Sequence, residues 1–121
     1  MKKILIADDS VGMRKMVSAV LEEARYNVIT AVDGKDALNK LPDTQPDLII
    51  TDVNMPNMNG LEFVKALRAL PQFRFTPVLV LTTEGSQDMK LKGREDGATG
   101  WLTKPFQPQK LLNVVHKVLT R

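Results

Sequence analysis

An α/β fold, a doubly wound five-stranded parallel sheet with five helices, is what the sequence predicts, on three observations. Short branched-aliphatic runs alternate with longer segments of helical period. The first, third and fourth runs are nearly all apolar, as central parallel strands covered on both faces should be. The segments between them suit right-handed helical crossovers, and no linker, repeat or low-complexity stretch interrupts the series.

The elements follow in order. The first strand is Lys3–Ala7, and the helix after it carries Met13, Met16, Val17, Val20, Leu21 and Ala24 at the i, i+3, i+4, i+7, i+8 spacing of a buried face. The second strand, Asn27–Ala31, leads to a short helix marked by Ala37, Leu38 and Leu41. The third, Leu48–Thr51, precedes a helix marked by Leu61, Val64 and Leu67. After the fourth strand, Val78–Thr82, the segment Ser86–Asp96 is the weakest helix of the five. It has little apolar stripe, and its Gly93 costs roughly 1 kcal/mol relative to Ala. Gly97 is well placed to stop it. A fifth strand, Trp101–Thr103, and a helix with Leu111, Leu112, Val115 and Leu119 close the series.

Composition narrows the function. A chain of 121 residues can bury about two-thirds of its unfolded surface, so residues 1–121 are read as one domain with a true core. Cysteine is absent, which removes disulfides, thiolate metal sites and cysteine nucleophiles. Aromatic residues make up 5% of the chain, too few for a stacking surface along single-stranded nucleic acid. The net charge of +3 comes from scattered residues without a run of like sign, so no nucleic-acid partner is expected. The apolar runs fall far short of the ~20 residues of a membrane span. Met1-Lys2-Lys3 resembles the start of a signal peptide, but Asp8-Asp9 interrupts too early for its apolar region. A soluble, monomeric, cytoplasmic domain is expected.

In such sheets ligands bind beyond the carboxyl ends of the strands. The first strand runs into Asp8-Asp9, the third into Asp52, the fourth into Thr82-Thr83 and the fifth into Lys104-Pro105. Each has an ordinary reading alone. Asp8, Asp9 and Ser10 can cap a helix, Asp52 can form a turn before Asn54, Pro56 and Gly60, Thr82 suits a strand, and Lys104 suits solvent. Together they are harder to dismiss, because three clustered carboxylates repel one another and call for a cation. Oxygen ligands with room for water suit Mg²⁺.

The segments ADDS, TDVNMPNMNG, LTTEG and GWLTKPF, in this order and at this spacing, resemble the receiver domain of two-component response regulators, specifically the single-domain chemotaxis (CheY-like) kind. The resemblance spans the whole chain. It brings with it the flavodoxin-like sheet order 2-1-3-4-5, which comes from the family and not from the periodicity.

The resemblance implies a function as well. Asp52 matches the phosphoacceptor, Asp9 a direct ligand of Mg²⁺ (or Mn²⁺), Asp8 an acid holding the metal through water, and Asn54 a backbone-carbonyl ligand. Lys104 matches the ammonium that contacts the phosphoryl group, before a proline bond that the family holds cis. Thr82 matches the hydroxyl that follows the phosphoryl group inward, and Trp101 the aromatic that turns inward with it. Asn54, Thr83 and Glu84 flank the site and are expected to set the lifetime of the phosphoryl group. The implied partners are a histidine kinase as donor and a downstream protein target, with a flagellar motor switch among the candidates. Such a protein catalyses its own phosphorylation and dephosphorylation and is otherwise no enzyme.

Four positions depart from the family's commonest pattern. Asn59 replaces Asp before Gly60, Thr83 is bulkier than the usual residue, Trp101 replaces Tyr or Phe, and Lys90, Lys92 and Arg94 make the fourth helix basic. His116, the only histidine, reads as a surface residue, and the six methionines read as core filler. Other functions remain to be weighed. A stand-alone receiver could relay phosphate outside chemotaxis, and a phosphorylation-independent interaction module would have no use for the full acid set. A small aspartyl-phosphate phosphatase needs a second Asp two positions after its nucleophile, and a cap; here Asp8 and Asp9 are adjacent and no residues remain for a cap.

Overall fold

Which apolar residues face which way along the strands decides where each helix packs. The computed structural model describes residues 1–120. Strands β1 (Lys3–Ala7), β2 (Asn27–Ala31), β3 (Leu48–Thr51), β4 (Val78–Thr82) and β5 (Gly100–Thr103) form one sheet in the order β2-β1-β3-β4-β5. Every neighbouring pair is parallel. Side chains alternate across a strand. On one face Ile4, Ile6, Leu48, Ile50, Leu79 and Leu81 bury against Val17 and Leu21 of α1 (Val11–Glu23) and Leu111 and Val115 of α5 (Pro108–Leu119). On the other, Leu5, Ala7, Ile49 and Val78 meet α2 (Gly34–Thr44) and α3 (Gly60–Arg68) through Leu41, Phe63 and Leu67. A smaller group, Val53, Leu61 and Val80, lies under α4 (Gln87–Asp96) with Met89 and Trp101. Two layers of helix therefore sandwich the sheet, the arrangement that βα alternation dictates.

The helix starts follow from short polar side chains. Ser10, Asp33, Asn59 and Ser86 each accept a hydrogen bond from a backbone N–H three residues on, at 3.2, 2.8, 2.9 and 3.2 Å. At α3 the bond is reciprocated, because Glu62 Oε1 accepts from the Asn59 N–H at 3.0 Å. Asn59 thus serves as a full cap in place of Asp. Pro108 opens α5 at a position that needs no N–H.

Strands β1 to β4 have the expected bounds, while β5 begins one residue earlier, at Gly100. Two expectations need correction, and one element was missed. The α1 stripe is narrower than the spacing implied: Met16 is 39% exposed and Ala24 lies past the helix as its exposed C-cap. The methionines sit at the margins of the core, partly buried at Met13, Met55, Met58 and Met89 and exposed at Met1 and Met16. A flexible thioether suits such irregular edges. A 3-10 turn, Pro71–Phe73, was not expected, and it buries Phe73 beneath α3. His116 is exposed, and Gly97 ends α4 in the left-handed region at φ 112°.

Asp33 carries a second role. Its other carboxylate oxygen accepts from Asn57 Nδ2 at 2.7 Å, tying the cap of α2 to the loop between β3 and α3. The Asp36 N–H, then the Asn57 amide, hold the Asp33 carboxyl below the ordinary value of 3.8, against the opposing effect of burial. A depressed folded-state pKa gives stability that is present above the unfolded value and lost as pH falls through the folded one. Chemical denaturation from pH 6 downward should therefore show an acid limb beginning below about pH 4 that is shallower in Asp33→Asn. An unchanged limb in that variant would remove Asp33 from the cause.

Candidate functional site

The sheet order brings the carboxyl ends of β1 and β3 side by side at the point where the winding reverses, which opens a crevice there. Asp8 and Asp9 follow β1, and Asp52 follows β3. Carboxylate oxygens of the three lie within 4.8 Å of one another, with Asp8 buried, Asp52 half-buried and Asp9 exposed. Lys104, one residue past β5, reaches across from the edge of the sheet. Its Nζ donates to Asp8 Oδ2 at 2.9 Å and to Asp52 Oδ2 at 3.1 Å, with its side chain only 9% exposed. The Lys104–Pro105 bond is cis.

Capping does not account for the aspartates. Ser10 alone caps α1, while Asp8 Oδ1 accepts from the Ser10 N–H at 2.9 Å and steadies the turn. Asp52 Oδ1 accepts from the Val53 N–H at 2.6 Å. Each carboxylate that Lys104 bridges thus has one oxygen on backbone and one on the ammonium. One ammonium against three carboxylates leaves two negative charges uncompensated at the crevice mouth, and the donors are all oxygen. A hard divalent cation fits such a set.

The rim completes the site. Thr82 is buried, and its Oγ1 accepts from the Glu84 N–H at 3.3 Å. Asn54 Nδ2 donates to Glu84 Oε1 at 3.2 Å, so a strap of two side chains joins the loops after β3 and β4. Thr83 is exposed beside it. Gly60 closes the floor: a methyl there would overlap the Asp52 carbonyl. Trp101 is not among these residues. It points with the opposite face of β5, against α4, as strand alternation requires.

Two arginine contacts were not foreseen, the first at the site and the second at the opposite, amino-terminal edge of the strands. Arg14 Nη1 donates to the Asp8 carbonyl at 2.6 Å, fixing the loop from α1. Arg68 donates to the carbonyls of Gly97, at 3.1 and 2.8 Å, and of Phe73, at 2.8 Å, and its burial lowers its pKa. Arg14 sits six residues after Asp8, a spacing that sequence could have flagged. A lone arginine in the last turn of α3 carries no such signal.

Known proteins agree with this geometry. The family model described as the response regulator receiver domain matches residues 4–116. Protein PilG of Pseudomonas aeruginosa is 36% identical over 113 residues, covering 93% of this chain and 84% of that protein. The phosphate regulon transcriptional regulatory protein PhoB of Klebsiella pneumoniae is 36% identical over 120 residues, and the chain spans 52% of its length. The solved structure of chemotaxis protein CheY4 of Vibrio cholerae superposes with a TM-score of 0.94 at 52% identity, over 98% of each chain. Among the described residues no helix is long and apolar enough to cross a membrane. Sequence, sheet order and whole-chain superposition together place this chain in the response-regulator receiver domain family, among its CheY-like members.

Proposed function

We propose that the protein is a phosphoreceiver that accepts a phosphoryl group on Asp52 from a phosphohistidine of a partner kinase and thereby changes its affinity for a downstream protein. The observation that carries this reading is the Lys104 ammonium held between Asp8 and Asp52 at 2.9 and 3.1 Å beside the exposed Asp9 carboxylate. In the transfer, an oxygen of Asp52 attacks phosphorus as the P–N bond to the donor imidazole breaks. The imidazole keeps that electron pair and takes up a proton, and an acyl phosphate forms on Asp52.

Such transfers depend chiefly on positioning and on neutralising the phosphoryl oxygens. Asp9, Asp8, Asp52 and the Asn54 carbonyl would hold Mg²⁺ or Mn²⁺, whose contribution when bound is positive charge at those oxygens. Lys104 supplies a second positive charge from the protein. Thr82 carries the hydroxyl that follows the phosphoryl group inward. The likeness to CheY4 favours a chemotaxis pathway with a motor-switch target; the likeness to PilG keeps a stand-alone relay in another pathway as the second reading. Incubation with acetyl phosphate and Mg²⁺, read by intact mass, tests the proposal. One added phosphoryl group, absent when the metal is chelated, supports it, and an unchanged mass overturns it.

The strap sets the lifetime. Asn54 and Glu84 are placed to orient a hydrolytic water, whereas Thr83 crowds its entry. Orientation is expected to dominate, with a half-life nearer seconds than hours. Losing the hydrogen bond by which the Asn54 amide would orient that water is worth about 1 kcal/mol, so Asn54→Ala should slow phosphoryl loss roughly fivefold. Thr83→Ala should speed it. A parent half-life of hours would show instead that crowding governs the site.

A further inference from the structure

α4 has one buried residue, and it is a glycine. Glycine is among the least favourable residues inside a helix, so its presence there calls for a packing reason. Trp101 supplies one. A methyl on Gly93 would lie 2.6 Å from Trp101 Cζ3, too close without displacing the ring, and 3.1 Å from Cε3, a tight contact in itself. The indole is therefore seated in a notch that only glycine leaves open. Its Nε1 donates to the Glu84 carbonyl at 2.8 Å, and it packs on Val53, Leu61 and Val80.

We infer that Gly93 and Trp101 form a notch and knob that hold the indole inward whether or not Asp52 is phosphorylated, making Trp101 a fixed strut of the α4–β5 face. Rotating the ring outward would empty an apolar notch and leave both Nε1 and the Glu84 carbonyl without their bond. The groove beyond the ring, lined by Gln87, Lys90, Leu91, Arg94, Ala98 and Thr99, is open to solvent and rich in long charged side chains, so it offers the indole less apolar cover than the notch it would leave. The far end of α4 is pinned as well, through the two Arg68 bonds to the Gly97 carbonyl. What remains free is the turn between β4 and α4. Glu84, in that turn, bonds the Thr82 hydroxyl through its N–H, Asn54 through its carboxylate and Trp101 through its carbonyl. A Thr82 that moves toward a phosphoryl group thus shifts the turn through the Glu84 N–H, while the Gly93 notch and the packing on Val53, Leu61 and Val80 keep the ring seated as its Nε1 bond adjusts. The groove against Trp101 is accordingly formed in both states, and phosphorylation reshapes its edge near Glu84 and Gln87. This inference rests on the proposed role of Asp52.

Beryllofluoride with Mg²⁺ tests it, with fluorine NMR reporting occupancy at Asp52 and tryptophan emission with acrylamide quenching reporting Trp101. Emission and quenching that stay constant at full occupancy support the strut; a blue shift with reduced quenching at full occupancy overturns it. Absence of a bound fluoride signal speaks against the role of Asp52 instead, and the notch is then decided by variants alone. Gly93→Ala should lower the melting temperature, shift emission to the red and raise quenching. Adding Trp101→Phe to Gly93→Ala should recover the melting temperature of Trp101→Phe alone, because the smaller ring leaves room for the methyl. Unchanged quenching in Gly93→Ala, or additive destabilisation in the double variant, would overturn the notch. The double variant decides the matter even if Gly93→Ala alone does not fold.

Discussion

The Asp52→Asn protein is expected to take up no phosphoryl group from acetyl phosphate and Mg²⁺ under conditions in which the parent takes up one. An amide replaces the carboxylate at the same volume but offers one acceptor oxygen, so it can serve the Val53 N–H or the Lys104 ammonium and not both; Lys104 keeps its bond to Asp8, and the nucleophile is gone. Asp9→Ala separates the two contributions. It leaves Asp52 and Lys104 in place and removes the exposed carboxylate, so the rate should fall about 10²–10³-fold, the usual cost of losing one electrostatic partner of a transition state. What remains should no longer respond to metal. Labelling that persists undiminished in Asp52→Asn would move the acceptor elsewhere, and Asp9→Ala with the parent's metal dependence would remove Asp9 from the cation site. Both variants are read by intact mass and by far-ultraviolet circular dichroism, which shows that the fold is retained.

Strands β1, β3 and β4 were legible because each is a short, mostly apolar run closed by a polar residue, and β2 because its β-branched Val28, Ile29 and Thr30 sit between two segments of helical period. The convergence of Asp8, Asp9, Asp52 and Lys104 was legible for the same reason, since the end of a strand is a local feature and parallel order sends all the ends to one edge. What joins those ends was not legible. Lys104 pairs with Asp8 and Asp52 and leaves Asp9 without it, a choice made by side-chain reach across 96 and 52 residues of sequence. α4 was the weakest helix on propensity because Gly93 reads as a breaker until the ring of Trp101, on the neighbouring strand, is known to fill its place. Arg68 and the Asp33–Asn57 bond are tertiary in the same sense, as their partners lie 29 and 24 residues away. The Trp101 side of β5, by contrast, followed from strand alternation alone.

Mg²⁺ at 100 times its dissociation constant is expected to stabilise the folded chain by about 2.7 kcal/mol, the value that linkage gives for a ligand of the native state alone. The converging carboxylates exist only in the fold, whereas the unfolded chain separates Asp8 and Asp9 from Asp52 by more than forty residues. For a domain of this size about 1 kcal/mol moves the melting temperature by roughly 4 °C, so a rise of about 10 °C is expected. The source of the effect can be separated from general screening. Two uncompensated charges at the crevice also respond to salt, but salt weakens the favourable Lys104 contacts along with the repulsion, so NaCl at equal ionic strength should give much less than Mg²⁺. Asp9→Ala and Asp52→Asn each remove a ligand and one of the repelling charges. Asp9→Ala, which gives up no contact with Lys104, should therefore melt higher than the parent in EDTA, whereas Asp52→Asn also loses its ion pair with Lys104; both should gain less from Mg²⁺. Melts that coincide with and without millimolar Mg²⁺, or variants that keep the parent's full response, would show that the acidic cluster does not hold the metal.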